Sequence, residues 1–343
     1  MIKVGMLGTA TSVKGQGVGS ACTELFRLLK EYGKNDFALS MNRHVRRCDV
    51  VHLHTVGPLS FLKMKMSGKP SVISIHMTPE MAHNSIRLPG PILFIFEKYL
   101  LWVYGSADHV HVVNPDLSDE MISYGYKAEQ VHYIPNFVAK DWFYPQSQER
   151  KKALRKKYDL AEDDFVAFAD GQMRAGKGVQ DFVAVARMLP DVKFIWAGGF
   201  SFGPLADGYP DTKEMLRSLP ENVRFTGIVD REEINDLLNT ADLFFFPSYE
   251  ELFPMSILEA ASAHLPLLLR DLPEYRNILT GRYLTADSNE GFAETIQRIR
   301  DNRDLYDTMV GYSRDISKQY SEEHIYQQWK SFYRECVSKG HKS

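Results

Sequence analysis

An α/β protein of two doubly wound, Rossmann-like domains is predicted from three features of the 343-residue sequence. Short β-branched or aromatic runs, each followed by a helical-period segment, recur along the whole chain, as in parallel sheets covered by helices. The length exceeds what one hydrophobic core usually serves. Near the middle, Pro135-Asn136-Phe137-Val138 leads into a strongly charged helical stretch, 148–157, that reads as the start of a second domain. With 44% hydrophobic and 25% charged residues, the chain can fill two cores.

The front half holds strand candidates at 2–7, 50–54, 71–76, 110–113 and 131–134, with a further strand-like stretch at 37–42. Those of the back half are 165–169, 193–197, 223–226, 243–246 and 266–269. Segments 290–300, 304–319 and 322–337 carry apolar residues at helical spacing and end the chain as consecutive helices. The expected division is a domain of residues 1–140, joined by the C-terminal helix 322–343, and a domain of residues 141–321. Ligands of such sheets sit at the carboxyl ends of the strands, so the active site is expected in a cleft between the domains.

Composition narrows the function. Cys22, Cys48 and Cys336 are too far apart for a disulfide framework or a Cys-x-x-Cys metal site, which suits a reducing cytoplasm. The chain opens on a strand-like run without the sections of a signal peptide. The most apolar stretch, 88–104, is broken by Glu97 and Lys98 and is not expected to span a membrane. It is either a core helix or part of a monotopic membrane surface. Net charge is -3, yet residues 1–100 hold thirteen Lys and Arg against six Asp and Glu, so the front is basic and its partners are anions. The remainder holds twenty-eight against thirty-eight, and no nucleic-acid module is present, which argues against nucleic acid.

Three stretches carry chemistry. Gly15-Gln-Gly-Val-Gly-Ser20 precedes an amphipathic helix in which Leu25, Leu28 and Leu29 share a face; the amides of Gly17, Val18 and Gly19 suit a phosphate, unless the loop is an ordinary tight turn. Asp170-Gly-Gln-Met-Arg-Ala-Gly-Lys-Gly178 links a strand to a helix, and Arg174 and Lys177 there suit a diphosphate, unless the loop is only solvated surface. Phe246-Pro-Ser-Tyr-Glu-Glu-Leu-Phe-Pro-Met-Ser-Ile-Leu-Glu259 sets Glu251 on a loop and Glu259 on the following helix, in apolar surroundings that argue against two solvated acids. His52 and His54 read as strand and loop residues rather than metal ligands, and the chain has neither a His-x3-His nor an Asp-x-Asp pattern.

The Glu-x7-Glu spacing of Glu251 and Glu259, the Gly-x5-Lys-Gly loop at Gly171 to Gly178 and the Pro135-Asn136 element resemble the retaining GT-B glycosyltransferases of family 4. Within that family, Lys14-Gly-Gln-Gly-Val-Gly-Ser-Ala21, Val112-Val-Asn-Pro115, Ile134-Pro-Asn-Phe-Val138 and Asp242-Leu-Phe-Phe-Phe-Pro-Ser-Tyr-Glu-Glu251 look most like the diacylglycerol glycolipid enzymes of Gram-positive bacteria. The resemblance implies that Glu251 contacts the donor sugar, Glu259 the ribose and Lys177 the diphosphate, with His76 beside the sugar near the reacting carbon. Two departures stand out. Gln172 occupies the usual arginine position, leaving Arg174 as its substitute, and Pro254 replaces a glycine, leaving the amides of Met255 and Ser256 to face the phosphate.

The expected reaction is transfer of galactose or glucose, with retention, from UDP-galactose or UDP-glucose to a membrane glycolipid, glucosyl-diacylglycerol, without a cofactor or metal. The alternatives are a polysaccharide or soluble acceptor, or a non-catalytic nucleotide-sugar-binding protein. The front domain is expected to bind the acceptor and to rest on the anionic cytoplasmic face of the membrane through Lys63, Lys65 and Lys69. The back domain is expected to bind the donor.

Overall fold

Strands buried on both faces read as continuous apolar runs rather than alternating ones, and VVHL, LFFF and LLLR are of this kind, every residue being buried. In the computed structural model, which describes residues 1–8, 17–80, 89–200, 209–251, 253 and 255–340 (the side chains of 17–20 and 209–211 excepted), these runs build two parallel sheets.

The first sheet holds β1 (Ile2–Leu7), β2 (Phe37–Met41), β3 (Val50–Leu53), β4 (Ser71–Ser74), β5 (His109–Val112) and β6 (Val131–Tyr133), in the order β2-β1-β3-β4-β5-β6. Its helices include α1 (Gly17–Tyr32), α2 (Pro58–Lys65), α3 (Gly90–Gly105) and α4 (Pro115–Ser123). Leu25, Leu28 and Leu29 of α1 are buried, as their shared face requires. The start of this helix differs from the loop expected of its glycines. The helix starts at Gly17, so Gly17, Val18 and Gly19 form its first turn rather than the loop before it, while Lys14, Gly15 and Gln16 lie outside the described residues.

The second sheet follows α5 (Gln148–Lys157), whose cap Ser147 accepts from the Arg150 amide. It holds β7 (Phe165–Asp170), β8 (Val192–Ala197), β9 (Val223–Gly227), β10 (Leu243–Phe246), β11 (Leu267–Arg270) and β12 (Leu284–Ala286), in the order β12-β11-β10-β7-β8-β9. The intervening helices include α6 (Val179–Met188), α7 (Tyr209–Met215), α8 (Arg231–Thr240) and α9 (Met255–Ser262). Then come α10 (Pro273–Leu279), α11 (Asn289–Asp301), α12 (Arg303–Gln319) and α13 (Glu322–Lys339). The three-residue β12 was not anticipated from the sequence.

The chain divides into two compact units, Met1–Asn136 together with the chain from Glu322 onward, and Phe137–Ser321. Within the first unit, α13 is tied down by polar contacts that close long loops. Arg27 pairs with Glu322, and Asp36 receives the Tyr326 hydroxyl at 2.5 Å and the Lys330 ammonium at 2.7 Å. None of the described helices is long and apolar enough to cross a membrane.

Candidate active site

Strand order in the second sheet reverses between β7 and β10, and open α/β sheets bind ligands outside the carboxyl ends of the strands at such a point. The two loops that leave these strands are those singled out by sequence. They touch because Gly178, at φ +70°, has no Cβ, which would stand 2.2 Å from the Pro247 carbonyl oxygen. The Tyr249 amide also donates to the Gly176 carbonyl at 2.9 Å.

This contact brings Lys177 against Glu251 in an ion pair whose side chains are 16% and 7% exposed. The Ser248 hydroxyl lies 2.9 Å from Glu251 Oε1, and the Lys177 ammonium stands 5.4 Å from the centre of the Phe246 ring. Arg174, next in the same turn, pairs with Glu250. Glu259 is buried on α9, with Arg231 Nη2 3.8 Å from its Oε1. Met255 and Ser256 open α9, whereas Leu252 and Pro254 fall outside the described residues. Arg174, Lys177, Glu251, Met255, Ser256 and Glu259 therefore belong to one end of one sheet. Their grouping favours a ligand with both anionic and hydroxyl groups.

Two residues were missed by sequence reasoning. Asp170 ends β7 with Oδ1 buried and without a hydrogen-bond partner. Burial and then the Glu259 charge push its carboxyl well above the usual carboxylate range, with Glu251 adding to the shift and Lys177 opposing it. The available signal was an acid closing an otherwise apolar strand. Arg270 ends β11, 7% exposed, and lies under the Glu251 loop. It donates to the Pro247 and Asp287 carbonyls at 3.2 and 2.9 Å, with its guanidinium carbon 3.8 Å from the Tyr249 ring centre. Nothing local in LLLR marks that role.

In the first unit, His76 lies two residues beyond β4, with Nε2 buried and unpartnered and its pKa lowered by burial to about 4. Beside it runs a hydrogen-bonded chain whose directions are all determined. The Ile134 carbonyl can only accept, so His111 Nε2 carries a proton and donates to it at 2.8 Å. His111 Nδ1 then accepts the single Ser74 proton at 2.8 Å, His52 Nε2 donates to Ser74 at 2.8 Å, and the Tyr333 hydroxyl donates to His52 Nδ1 at 2.7 Å. With every member neutral these directions follow, and protonating either imidazole would reverse one bond and leave the Ser74 or Tyr333 hydroxyl proton without its acceptor. Burial accordingly holds the His52 pKa well below its ordinary value and that of His111 at about 3.

The predicted basic residues border an apolar surface on the same unit. Helix α3 buries Leu93, Leu100, Val103 and Tyr104 but exposes Ile92, Phe94, Ile95 and Trp102, so it is neither a core helix nor wholly external. Helix α2 adds exposed Leu59 and Leu62, with Met66 just beyond, and Phe61 meets Trp102 at 4.8 Å between ring centres. Lys63 is exposed and Lys69 half-buried, while Lys65 donates to the Ser106 carbonyl at 3.1 Å. Among the described residues, no group of three or more His, Cys, Asp and Glu is arranged to hold a metal.

Comparison with known proteins places this geometry. Residues 150–316 match the family model described as glycosyl transferases group 1, and residues 15–142 match that of glycosyltransferase family 4. The alpha-galactosylglucosyldiacylglycerol synthase of Streptococcus pneumoniae is 38% identical over 99% of this chain and 91% of its own length. The processive diacylglycerol alpha-glucosyltransferase of Acholeplasma laidlawii is 29% identical over 84% of this chain and 86% of its own. Among solved structures, sucrose-phosphate synthase of Thermosynechococcus elongatus superimposes with a TM-score of 0.80 at 15% identity, covering 99% of this chain and all of that one. Anabaena HepE in complex with UDP-glucose does so with 0.77 at 16% identity, covering 98% of this chain and all of that one. With a near full-length relative at this identity and both domain families matched in order, the chain belongs to glycosyltransferase family 4 and has the two-domain GT-B fold.

Proposed function

We propose that this enzyme transfers galactose or glucose from a UDP-sugar to the sugar of glucosyl-diacylglycerol, with retention of the α configuration, at the cytoplasmic face of the membrane. The observation that carries the donor half is the Lys177–Glu251 pair at the strand-order reversal, with Glu259 on the next helix. A departing UDP gains negative charge, and a mostly covered ammonium stabilises that charge more than water does. Arriving diphosphate competes with Glu251 for Lys177. Glu251, still within reach of Ser248, is then free to accept from a sugar hydroxyl. Glu259, beside Arg231, takes the ribose hydroxyls, and the first amides of α9, at Met255 and Ser256, face the phosphates. Arg174 stands in for the arginine absent at Gln172, once phosphate draws it from Glu250. The amides of Gly17, Val18 and Gly19 in the first turn of α1 add to phosphate binding, and His76 lies beside the transferred sugar.

The diacylglycerol lipids in the names of the two relatives support a diacylglycerol glycolipid as acceptor. So does the apolar surface of α2 and α3. Exposed Leu, Ile, Phe and Trp on two helices joined by the Phe61–Trp102 contact, with lysines on the first of them, suit insertion into an anionic bilayer. The apolar side chains give depth, and Lys63, Lys65 and Lys69 give attraction at the headgroups. The test is incubation of the pure protein with UDP-glucose and UDP-galactose separately, each with glucosyl-diacylglycerol in vesicles. A dihexosyl lipid with a new α linkage supports the reading. Transfer only to a soluble glycan sinks the lipid acceptor, and hexose release without transfer sinks the transferase.

A further inference from the structure

The two loops that carry Lys177 and Glu251 meet at the Pro247 carbonyl oxygen, which Gly178 approaches too closely for any Cβ. The same oxygen accepts from Arg270 Nε at 3.2 Å. The rest of this buried guanidinium reaches parts of the fold that flank both loops. Nη1 donates at 2.9 Å to the Asp287 carbonyl, just past β12, and Nη2 stands 3.5 Å from Asp181 Oδ2. Asp181 lies in the first turn of α6, the helix that follows Lys177. The guanidinium carbon is 3.8 Å from the centre of the Tyr249 ring, whose hydroxyl donates in turn to Asp181. Arg270 thus touches the Glu251 loop at Pro247 and at Tyr249, and the helix after the Lys177 loop at Asp181.

A cation at this position calls for a reason. Burying a guanidinium is costly, and Asp181 offsets that cost only in part, since Nη2 makes no hydrogen bond. A fourth leucine would close the apolar run of β11 without it. What leucine lacks is direction: a guanidinium presents donors in a fixed plane and stacks on an aromatic face. Tyr249 is 52% exposed, so burial fixes it little, and the contacts with Arg270 and Asp181 set its place. Ser248, between Pro247 and Tyr249, holds its hydroxyl 2.9 Å from Glu251 Oε1, so a shift of this turn moves both side chains. We infer that Arg270 is a positioning residue for the reaction, which from beneath the turn at 247–249 fixes Ser248 and Glu251 against the transferred sugar. The inference rests on the reading of this end of the sheet as the UDP-hexose site. None of these Arg270 contacts reaches α9, where that reading places the nucleotide, so loss of Arg270 should act on sugar transfer and leave UDP binding nearly intact.

The experiment compares wild type, Arg270→Lys, Glu251→Gln and the double variant in turnover of UDP-glucose and UDP-galactose with glucosyl-diacylglycerol vesicles, in UDP binding by calorimetry and in thermal midpoint. Lysine keeps the charge and loses the planar fork. Arg270→Lys should lower kcat about tenfold or more, the scale of a small misplacement at the reacting sugar, with the UDP Kd within about threefold of wild type. Beside Glu251→Gln the same change should cost about threefold or less, because its effect runs through Glu251. A purely structural role would cost the same in both backgrounds and lower the share of protein that binds UDP. Equal losses in the two backgrounds, or an unchanged kcat in a folded Arg270→Lys protein, would overturn the inference and leave the transferase reading standing. A wild type that consumes neither donor overturns the transferase reading, and the inference with it. If Arg270→Lys fails to fold, Tyr249→Leu decides: it removes the stacked ring at an exposed position, and should lower kcat in the wild-type background and not beside Glu251→Gln. Equal losses there count against the inference in the same way.

Discussion

Lys177 and Glu251 hold each other in an ion pair although they stand on loops that follow different strands and lie 74 positions apart. The pair exists because two loops are fixed together by a glycine contact at Gly178 and a backbone hydrogen bond from Tyr249 to Gly176. Preorganisation of this kind removes from the reaction the cost of bringing the charges together. Both side chains are largely covered, so their charges are screened less than those of surface pairs.

The placement of the two glutamates makes their substitutions distinguishable. In the proposed donor site Glu251 meets the reacting sugar, so Glu251→Gln should lower kcat by about 10-fold or more. In that proposed site Glu259 meets the ribose, whose contacts favour ground state and transition state nearly alike, so Glu259→Gln should act mainly on the donor KM. Steady-state kinetics with varied UDP-sugar separates them, and the reverse order would exchange the two roles.

Asp170 gives a pH-dependent stability effect. Its folded pKa is raised, so its contribution is fully present below the unfolded value of about 3.9 and is lost as pH rises through the folded pKa. Asp170→Asn removes the buried charge and should stabilise the protein by about 1 to 3 kcal/mol near pH 8, with a smaller gain near pH 5. Urea unfolding at the two pH values checks this. A variant less stable than wild type near pH 8 would show that the ionised carboxylate is favoured there.

Much of this arrangement was legible in the sequence because it is local or periodic. Continuous apolar runs mark the buried strands, and the Glu251 to Glu259 spacing survives as a loop and a helix face. Other parts depend on pairings between distant residues. Tyr333 meets His52 across 281 positions, and Arg270 supports Tyr249 from a neighbouring strand, so neither role shows in its own neighbourhood. The start of α1 at Gly17 does not show in the sequence because glycine is a poor helix former and a run of them suggests a loop. The exposed face of α3 escaped periodicity because that helix is apolar nearly all round.

Acid should weaken the first unit through its histidines. His76 and His109 have pKa values lowered to about 4 and His111 to about 3, while His52 and His54 lie well below their ordinary value. Their stabilising contribution is therefore fully present above the unfolded value of about 6.5 and is lost as pH falls toward the folded values. Each fully depressed histidine costs about 1.4 kcal/mol per pH unit in that window. The urea midpoint of the first unit, followed by Trp329 fluorescence, should fall steeply between about pH 6.5 and pH 4.5. A flat profile would mean that the imidazoles charge without loss of the fold.

Membrane attachment should respond differently to two groups of substitutions. Replacing Lys63, Lys65 and Lys69 by Ser should weaken binding to phosphatidylglycerol vesicles at low salt, by about 1 kcal/mol per lysine or less, since Lys65 is engaged with Ser106. Replacing Leu62, Ile95 and Trp102 by Ser should weaken binding at low and high salt alike, because insertion of apolar side chains is not screened. Co-sedimentation at two ionic strengths distinguishes the effects. Equal sedimentation of all three proteins would place the attachment surface elsewhere.

If the Lys177–Glu251 site performs hexosyl transfer to a glycolipid, single-turnover kinetics of Lys177→Ala should reveal it. Wild type and variant are each mixed in excess with labelled UDP-sugar and glucosyl-diacylglycerol vesicles, and formation of the dihexosyl lipid is timed. Loss of a charged hydrogen bond that strengthens as UDP departs should slow the chemical step by about 10 to 1,000-fold in a folded variant. An unchanged single-turnover rate constant would contradict the assignment of the site.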